Sequence, residues 1–238
     1  MARACKPLTV RGWLADLDPI IGQAILESGR LVTFRKGKTL FSPDDHDGGV
    51  FGIVSGSVCL AVSGDDGPSL PGHIMRPGGW FGYGSVLLLR NRTLLAQANE
   101  ELICLHLSRA AISRLRDMGQ EYQRALSLLP QYGEAVLLSI VSDLLIPDSD
   151  RRLAAVVLRV TEAWREDGSL PSEPLPLTQE LLGQLANASR QTVGRFVKKV
   201  SKEGLIEWRY GKITVLDAGR LEDFKMCVKP MTRPTPSL

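Results

Sequence analysis

The sequence predicts an α+β protein in three parts: a β-rich N-terminal half, one long apolar helix, and a C-terminal winged helix-turn-helix. Three observations carry this. Short β-type runs separated by Gly, Asp, Pro and Ser fill residues 29–107. An apolar stretch from Gln120 to Ile146 keeps helical spacing, and Leu177 to Leu216 reads as two helices around a corner followed by a hairpin. A chain of 238 residues can hold two domains. With 44% hydrophobic and 23% charged residues, its composition is that of a soluble globular protein. No apolar run approaches the ~18 residues of a membrane span, and MARACKPLTVRGWL lacks a signal-peptide apolar core.

Arg11 to Ser28 predicts an amphipathic helical entry with Trp13, Leu14, Leu17, Ile20, Ile21, Ala24 and Ile25 inward. The runs 31–34, 39–41, 49–54, 57–62, 73–75, 80–81 and 94–107 then predict short strands of an antiparallel sandwich or barrel. Ser108 caps a short helix to Arg116. The helix from Gln120 follows, and Pro130 and Gly133 predict a kink or a split within it. From Ala135 to Ile146 it is apolar over more of its circumference than a one-sided surface helix needs, which fits cover by a second chain. Pro147 ends it, and Asp148 or Ser149 caps the next helix, Arg151 to Arg165, with Leu153, Val156, Val157, Val160 and Trp164 inward. EDGSLPSEPLP, residues 166–176, reads as a loop. Residues 218–228 read as a last helix, and the tail from Pro230 has no packing pattern.

Within the C-terminal part, Leu177, Leu181, Leu182 and Leu185 mark a first helix capped by Thr178. Asn187 tolerates the left-handed backbone that a tight corner requires. Ser189 caps the second helix, Arg190 to Lys202, whose inner stripe is Val193, Phe196, Val197 and Val200. Its other face carries Arg190, Gln191, Arg195, Lys198, Lys199 and Lys202. Gly204 stops it, and residues 205–209 and 212–216 form a hairpin through Tyr210-Gly211. Seven Lys and Arg against three Glu give Leu177–Leu216 a local net of +4, whereas the whole chain is only +3. A merely solvated basic helix is the bland alternative. The corner, the wing and the concentrated charge favour a helix shaped for the major groove of DNA.

Ser189-Arg190-Gln191-Thr192-Val193-Gly194-Arg195 resembles the recognition-helix signature of the cAMP receptor protein and fumarate-nitrate regulator family of bacterial transcription factors. Leu177-Thr178-Gln179-Glu180-Leu181-Leu182 and Glu203-Gly204-Leu205-Ile206 fit the same pattern. Val54-Ser55-Gly56-Ser57-Val58 resembles a hairpin of cyclic-nucleotide-binding β-rolls, and Pro77-Gly78-Gly79-Trp80-Phe81-Gly82 the turn into their pocket. The resemblance implies a cyclic-nucleotide-binding-like β-roll over residues 1–118 and a dimerisation helix and hinge over 119–147, kinked near 130–133. It further implies a winged helix-turn-helix over 148–228 and a disordered tail over 229–238. The family's long helix pairs with its twin, which here assigns Val136, Leu137, Ile140, Val141 and Leu144 to a dimer interface. Partners are then double-stranded DNA, a second copy and, for an activator, RNA polymerase, in the cytoplasm and without a membrane.

On this resemblance two helices would enter successive major grooves of a near-palindrome, with half-sites about one turn (~34 Å) apart. Arg190 and Arg195 suit guanine edges. Gln191 stands where the cAMP receptor protein has a cytosine-reading glutamate, and it suits adenine. Thr178, Ser189, Thr192, Lys198, Lys199, Lys202, Arg209 and Lys212 are expected phosphate contacts. The effector pocket would comprise Gly82, Tyr83, Gly84, Ser85, Arg92 and Thr93. In cAMP-binding members a glutamate reads the ribose at the position of Tyr83, a loss worth ~1.5–3 kcal/mol. An Arg-Ser/Thr pair holds the phosphate there, as Arg92-Thr93 could. The adjacent hydroxyl residues that contact adenine align with Leu137-Leu138. Three readings stay open: cAMP, which these departures argue against; another anionic or aromatic effector; and a ligand-free scaffold in which Arg92 makes an internal ion pair.

Cys5, Cys59, Cys104 and Cys227 show no CxxC spacing, which argues against zinc and, with only Cys5 near the N-terminus, against an oxygen-sensing iron–sulfur cluster. His46, His73 and His106 are isolated, so surface or satisfied core histidines are expected rather than a metal or catalytic set, with haem ligation by one of them as the minor alternative. A small-molecule effector other than cAMP is the expected ligand, if any. P-loop, GxSxG, HExxH and dinucleotide-type glycine patterns are absent from the sequence, which argues against an enzyme. A ligand-sensing module whose winged helix binds protein is the remaining alternative, separable by the salt dependence of duplex binding.

Overall fold

The computed structural model describes residues 5–46, 48–62, 68–87, 91–163 and 173–226. The chain divides into two compact units, Met1–Ser142 and Asp143–Leu238.

The first unit opens with helix α1 (Lys6–Val10), a 3-10 turn (Trp13–Asp16) and α2 (Pro19–Glu27). The single entry helix expected from Arg11 is therefore divided. Gly12 adopts φ +70, and Asp18 starts a fresh helix by accepting from the Ile20 N–H at 2.8 Å, with Pro19 in the first position. Ile20, expected inward, is 76% exposed, because restarting the helix changes which face meets the core.

Eight strands follow: β1 (Arg30–Phe34), β2 (Thr39–Phe41), β3 (Gly49–Ser55), β4 (Val58–Val62), β5 (Leu70–Met75), β6 (Trp80–Phe81), β7 (Leu94–Ala98) and β8 (Leu102–Ser108). They build two antiparallel sheets ordered β1-β8-β3-β6 and β2-β7-β4-β5. The first sheet is covered on both faces. Leu102 and Cys104 of β8 join Phe41, Phe51, Val58 and Ala96 between the sheets, while Ile103, Leu105 and Leu107 point the other way. That period of two is the pleat itself. It explains why β8 reads as a nearly unbroken apolar run. Gly56, at φ +81, turns β3 into β4, and any Cβ there would strike the Glu101 carbonyl.

Helices cover the outer face. Short α3 (Tyr83–Leu87) follows β6, and α4 (Arg109–Asp117) is capped by Ser108, whose Oγ accepts from the Ala111 N–H at 3.2 Å. Helix α5 (Gln120–Leu144) runs without interruption through Pro130, so the expected split does not occur. Its first half packs Tyr122, Ala125, Leu126 and Leu129, at i, i+3, i+4 and i+7, against Trp13, Leu105 and Ile112. Trp13 Nε1 donates to the Ala125 carbonyl at 2.8 Å and meets Trp80 edge-on at 5.0 Å. Length and composition alone would let α5 cross a bilayer. Its first half packs into the core of the first unit through Tyr122, Leu126 and Leu129.

The second unit begins in the last turn of α5. Helix α6 (Ser149–Thr161) is capped by Asp148, which accepts from the Arg151 N–H at 2.9 Å, and it ends at Glu162 in the left-handed region. Strand β9 (Leu175–Pro176) lies in the segment expected to be loop, and the expected inward Trp164 falls outside the described residues. Helices α7 (Gln179–Leu185) and α8 (Arg190–Lys202) form the corner. Gly183 permits it, because a Cβ there would lie 2.9 Å from the Ala188 carbonyl, and Asn187 takes φ +46. Strands β10 (Ile206–Arg209) and β11 (Lys212–Val215) form the wing, β9 adds a third strand in the order β10-β11-β9, and α9 (Ala218–Met226) closes the unit. Cys227 and the tail lie outside the described residues.

One buried ion pair pins this unit. Arg159 Nε donates to Asp143 Oδ2 at 2.6 Å, with the side chains 5% and 10% exposed. Because removing one member leaves the other's charge buried, Asp143→Ala should lower the unfolding free energy by about 3–5 kcal/mol. The double change Asp143→Leu/Arg159→Leu should cost much less. Urea titration of the full chain distinguishes the two.

Candidate nucleic-acid interface and effector cavity

Helix α8 exists where it does because Ser189 Oγ accepts from the Thr192 N–H at 3.2 Å, and because Val193, Phe196, Val197 and Val200 are buried on its inner side. The same turn of sequence pushes Arg190, Gln191, Arg195, Lys198 and Lys202 to the exposed side. Gln191, Arg195, Lys198 and Lys202, spaced by four, three and four, form one stripe. Among the described residues no ion pair engages Arg190, Arg195, Lys198 or Lys202. Their charge is therefore presented outward.

Lys199 differs. Its Nζ lies 4.5 Å above the Phe224 ring and 3.8 Å from Asp150 Oδ2, so although the side chain is 46% exposed its charge is engaged by α9 and α6. The periodicity that places Lys198 on the stripe carries its neighbour round to the protein side. The hydroxyls of Thr178, Ser189 and Thr192 are engaged locally. Thr178 Oγ1 accepts from the Leu181 N–H at 3.0 Å, and the Ser189 and Thr192 hydroxyls lie 2.9 Å apart. At the wing, Tyr210 and Gly211 both take positive φ, 50 and 72, as a two-residue type I′ turn requires. Arg209 pairs with Glu207 at 2.9 Å in solvent, and Lys212 is exposed. Tyr210, passed over as a turn residue in the sequence, is fully exposed at the tip.

In the first unit Gly82, Tyr83, Gly84, Ser85, Arg92 and Thr93 do come together. They line a half-open cavity of about 250 Å³. Leu60 and Val62 of β4, Met75 of β5 and Val136, Leu137 and Ile140 of α5 line it too. The first three were missed, although β4 reads apolar at every position, more than a strand covered on one face needs.

Arg92 is not held as an anion clamp. Its Nη1 donates to the Gly82 carbonyl and its Nη2 to the Gly49 carbonyl at 2.9 Å, and its guanidinium carbon sits 4.1 Å over the Phe41 ring. It is 5% exposed, and Nε is buried with no hydrogen-bond partner among the described residues. Burial pulls its pKa down to about 10; Asp45 opposes that shift and Arg109 adds to it. An internal role for Arg92 is thus observed, with backbone carbonyls rather than an ion-pair partner as acceptors. Burial likewise raises the Tyr83 hydroxyl. That hydroxyl rests against α5 where Gly133 leaves room, since a Cβ on Gly133 would overlap Tyr83 Oη. The glycine that weakens the helix is what admits the tyrosine. His106 stacks on Phe51 at 4.6 Å, and no cluster of metal-ligating side chains occurs among the described residues.

Comparison with known proteins agrees with this geometry. The Crp-like helix-turn-helix domain model matches residues 151–224, and the cyclic nucleotide-binding domain model matches residues 31–118. The chain is 25% identical over 212 residues to the CRP-like cAMP-activated global transcriptional regulator of Mycobacterium tuberculosis, covering 88% of this chain and 94% of that one. Transcriptional regulator SdrP of Thermus thermophilus is 26% identical over 175 residues, 72% of this chain and 81% of the relative. FixK2 of Bradyrhizobium japonicum shares the fold, with a TM-score of 0.68 at 17% identity over 82% of this chain and 96% of that one. A β-roll with an internal cavity, a long helix and a winged helix with a free basic face define a DNA-binding transcription regulator. The chain belongs to the CRP/FNR family of such regulators.

The Tyr83–Gly133 fit can be tested by a sign reversal. In the parent chain Gly133→Ala gains about 1 kcal/mol of helix propensity but forces the tyrosine out, an overpacking cost of about 1–3 kcal/mol. In a Tyr83→Ala background only the gain should remain. Thermal unfolding should therefore show Gly133→Ala as neutral or destabilising in the first case and stabilising in the second.

Proposed function

We propose that the protein regulates transcription in the cytoplasm as a homodimer bound to a near-palindromic operator, and that it does not use cAMP in the manner of its M. tuberculosis relative. The observation that carries DNA reading is the exposed stripe of α8, whose cations have, among the described residues, no ion-pair partner to compete with phosphate and base edges. Arg190 and Arg195 are assigned to guanine, Gln191 to adenine, and Lys198, Lys202, Arg209 and Lys212 to phosphates. Lys199 is set aside, because it is directed at Phe224 and Asp150.

Dimerisation is supported by α5. Leu137, Val141 and Leu144 are 63%, 53% and 43% exposed at spacings of four and three, flanked by Leu138 and Leu145 at 63% and 74%. An exposed apolar seam at heptad spacing fits a second copy of itself. Val136 and Ile140, half-buried, face the cavity rather than the seam. The reading against cAMP is supported by Tyr83 and by Arg92, whose terminal nitrogens are already committed to carbonyls.

Selection from random duplexes should enrich one near-palindrome with or without cAMP. Arg190→Ala should weaken that operator by about 1–3 kcal/mol while leaving random-duplex binding nearly unchanged; Lys212→Ala should weaken both alike and reduce the salt dependence. Equal losses on operator and random DNA in Arg190→Ala would overturn the base-reading assignment.

A further inference from the structure

Continuing from the reading as a regulator with an altered pocket, the geometry points to a neutral aromatic molecule of one or two rings as the ligand of the β-roll cavity. Its walls are aromatic and polarisable: Phe41, Phe81, Tyr83 and Met75 contribute alongside Leu60 and Leu94. Flat rings pack well against aromatic faces and thioethers. Among the described residues, Arg92 and His73 are the lining side chains that can carry positive charge, and neither is open to an anion: Arg92 already donates to the Gly82 and Gly49 carbonyls and is 5% exposed, and His73 is 8% exposed. Drawing it out to meet a phosphate would leave both carbonyls unpaired, at a cost that a neutral ligand does not incur. A cavity of roughly 150 Å³ lined by aliphatic and aromatic side chains admits benzene. One of about 250 Å³ has room for a second ring.

The position of the cavity gives such a ligand a lever. Gly133, Val136 and Ile140 of α5 form part of its wall, and Leu137 and Val141 lie on the next positions of the same helix. A ring seated there would press on the helix that carries the proposed seam. It would shift the dimer only through a difference in affinity between its states.

The probe is 2-naphthol, a neutral two-ring phenol, titrated into the full-length protein beside cAMP. Calorimetry should show saturable binding of one 2-naphthol per chain and no competing site for cAMP. In protein labelled at its methionine methyls, the Met75 signal should move with 2-naphthol while the Met118 and Met226 signals stay. Leu94→Trp and Leu60→Trp, which fill the cavity, should each weaken 2-naphthol at least tenfold, and a thermal melt shows whether each still folds. Absence of saturable binding, an unmoved Met75 methyl, or tighter binding of cAMP than of 2-naphthol would each overturn the proposal. Operator selection uses no 2-naphthol and this titration uses no DNA, so failure of the ligand assignment and failure of the regulator assignment are read separately.

Discussion

Helix α5 must satisfy two different surroundings with one continuous backbone, and the rest of the first unit is arranged around that requirement. Up to Leu129 its apolar side chains are buried under the outer face of the β1-β8-β3-β6 sheet, and Trp13 fixes the depth by donating to the Ala125 carbonyl. Beyond Pro130 the helix divides its faces: Val136 and Ile140 stay half-buried against the cavity, while Leu137, Leu138, Val141 and Leu144 stand exposed. A helix exposing that much apolar surface is costly for an isolated chain, since each large side chain withheld from water is worth about 1.5–3 kcal/mol. The exposed half is thus the part of the fold that most needs a second surface.

The changeover point is also where the cavity meets the helix. Pro130 removes one backbone donor and Gly133 removes a side chain, each unfavourable in a helix interior by propensity alone. Gly133 repays this by making room for Tyr83. Tyr83 shares the cavity wall with Arg92, which donates to the Gly82 and Gly49 carbonyls. Three local oddities of the sequence, the tyrosine, the glycine in a helix and the buried arginine, thus meet in one wall.

In the second unit the governing economy is different. A helix of thirteen residues carries both a core stripe and an exposed basic stripe, and the corner at Gly183 and Asn187 holds it against α7. No residue serves both stripes. Lys199, on the border between them, keeps an exposed stem but turns its ammonium to the Phe224 ring and the Asp150 carboxylate, which stabilise it better than standing beside other cations would.

Much of this was determined by local sequence. The caps Ser108, Thr178 and Ser189, one of the two candidates Asp148 and Ser149, the left-handed Asn187, the hairpin through Tyr210-Gly211 and the inner stripe of α8 follow from short-range rules of hydrogen bonding and periodicity, and the structure has them. What sequence alone could not settle were choices made between segments distant in the chain. Pro130 and Gly133 suggest a kink or a split, yet α5 stays one helix from Gln120 to Leu144 over the core that holds Leu126 and Leu129. Residues 175–176 were read as loop, yet they find a partner strand in β11. For Arg92 the sequence leaves an anion ligand and an internal partner both open, and two carbonyls 10 and 43 residues away claim it. Caps and turns are decided within a few residues, whereas an arginine's partner is decided by whichever acceptors the folded chain brings closest.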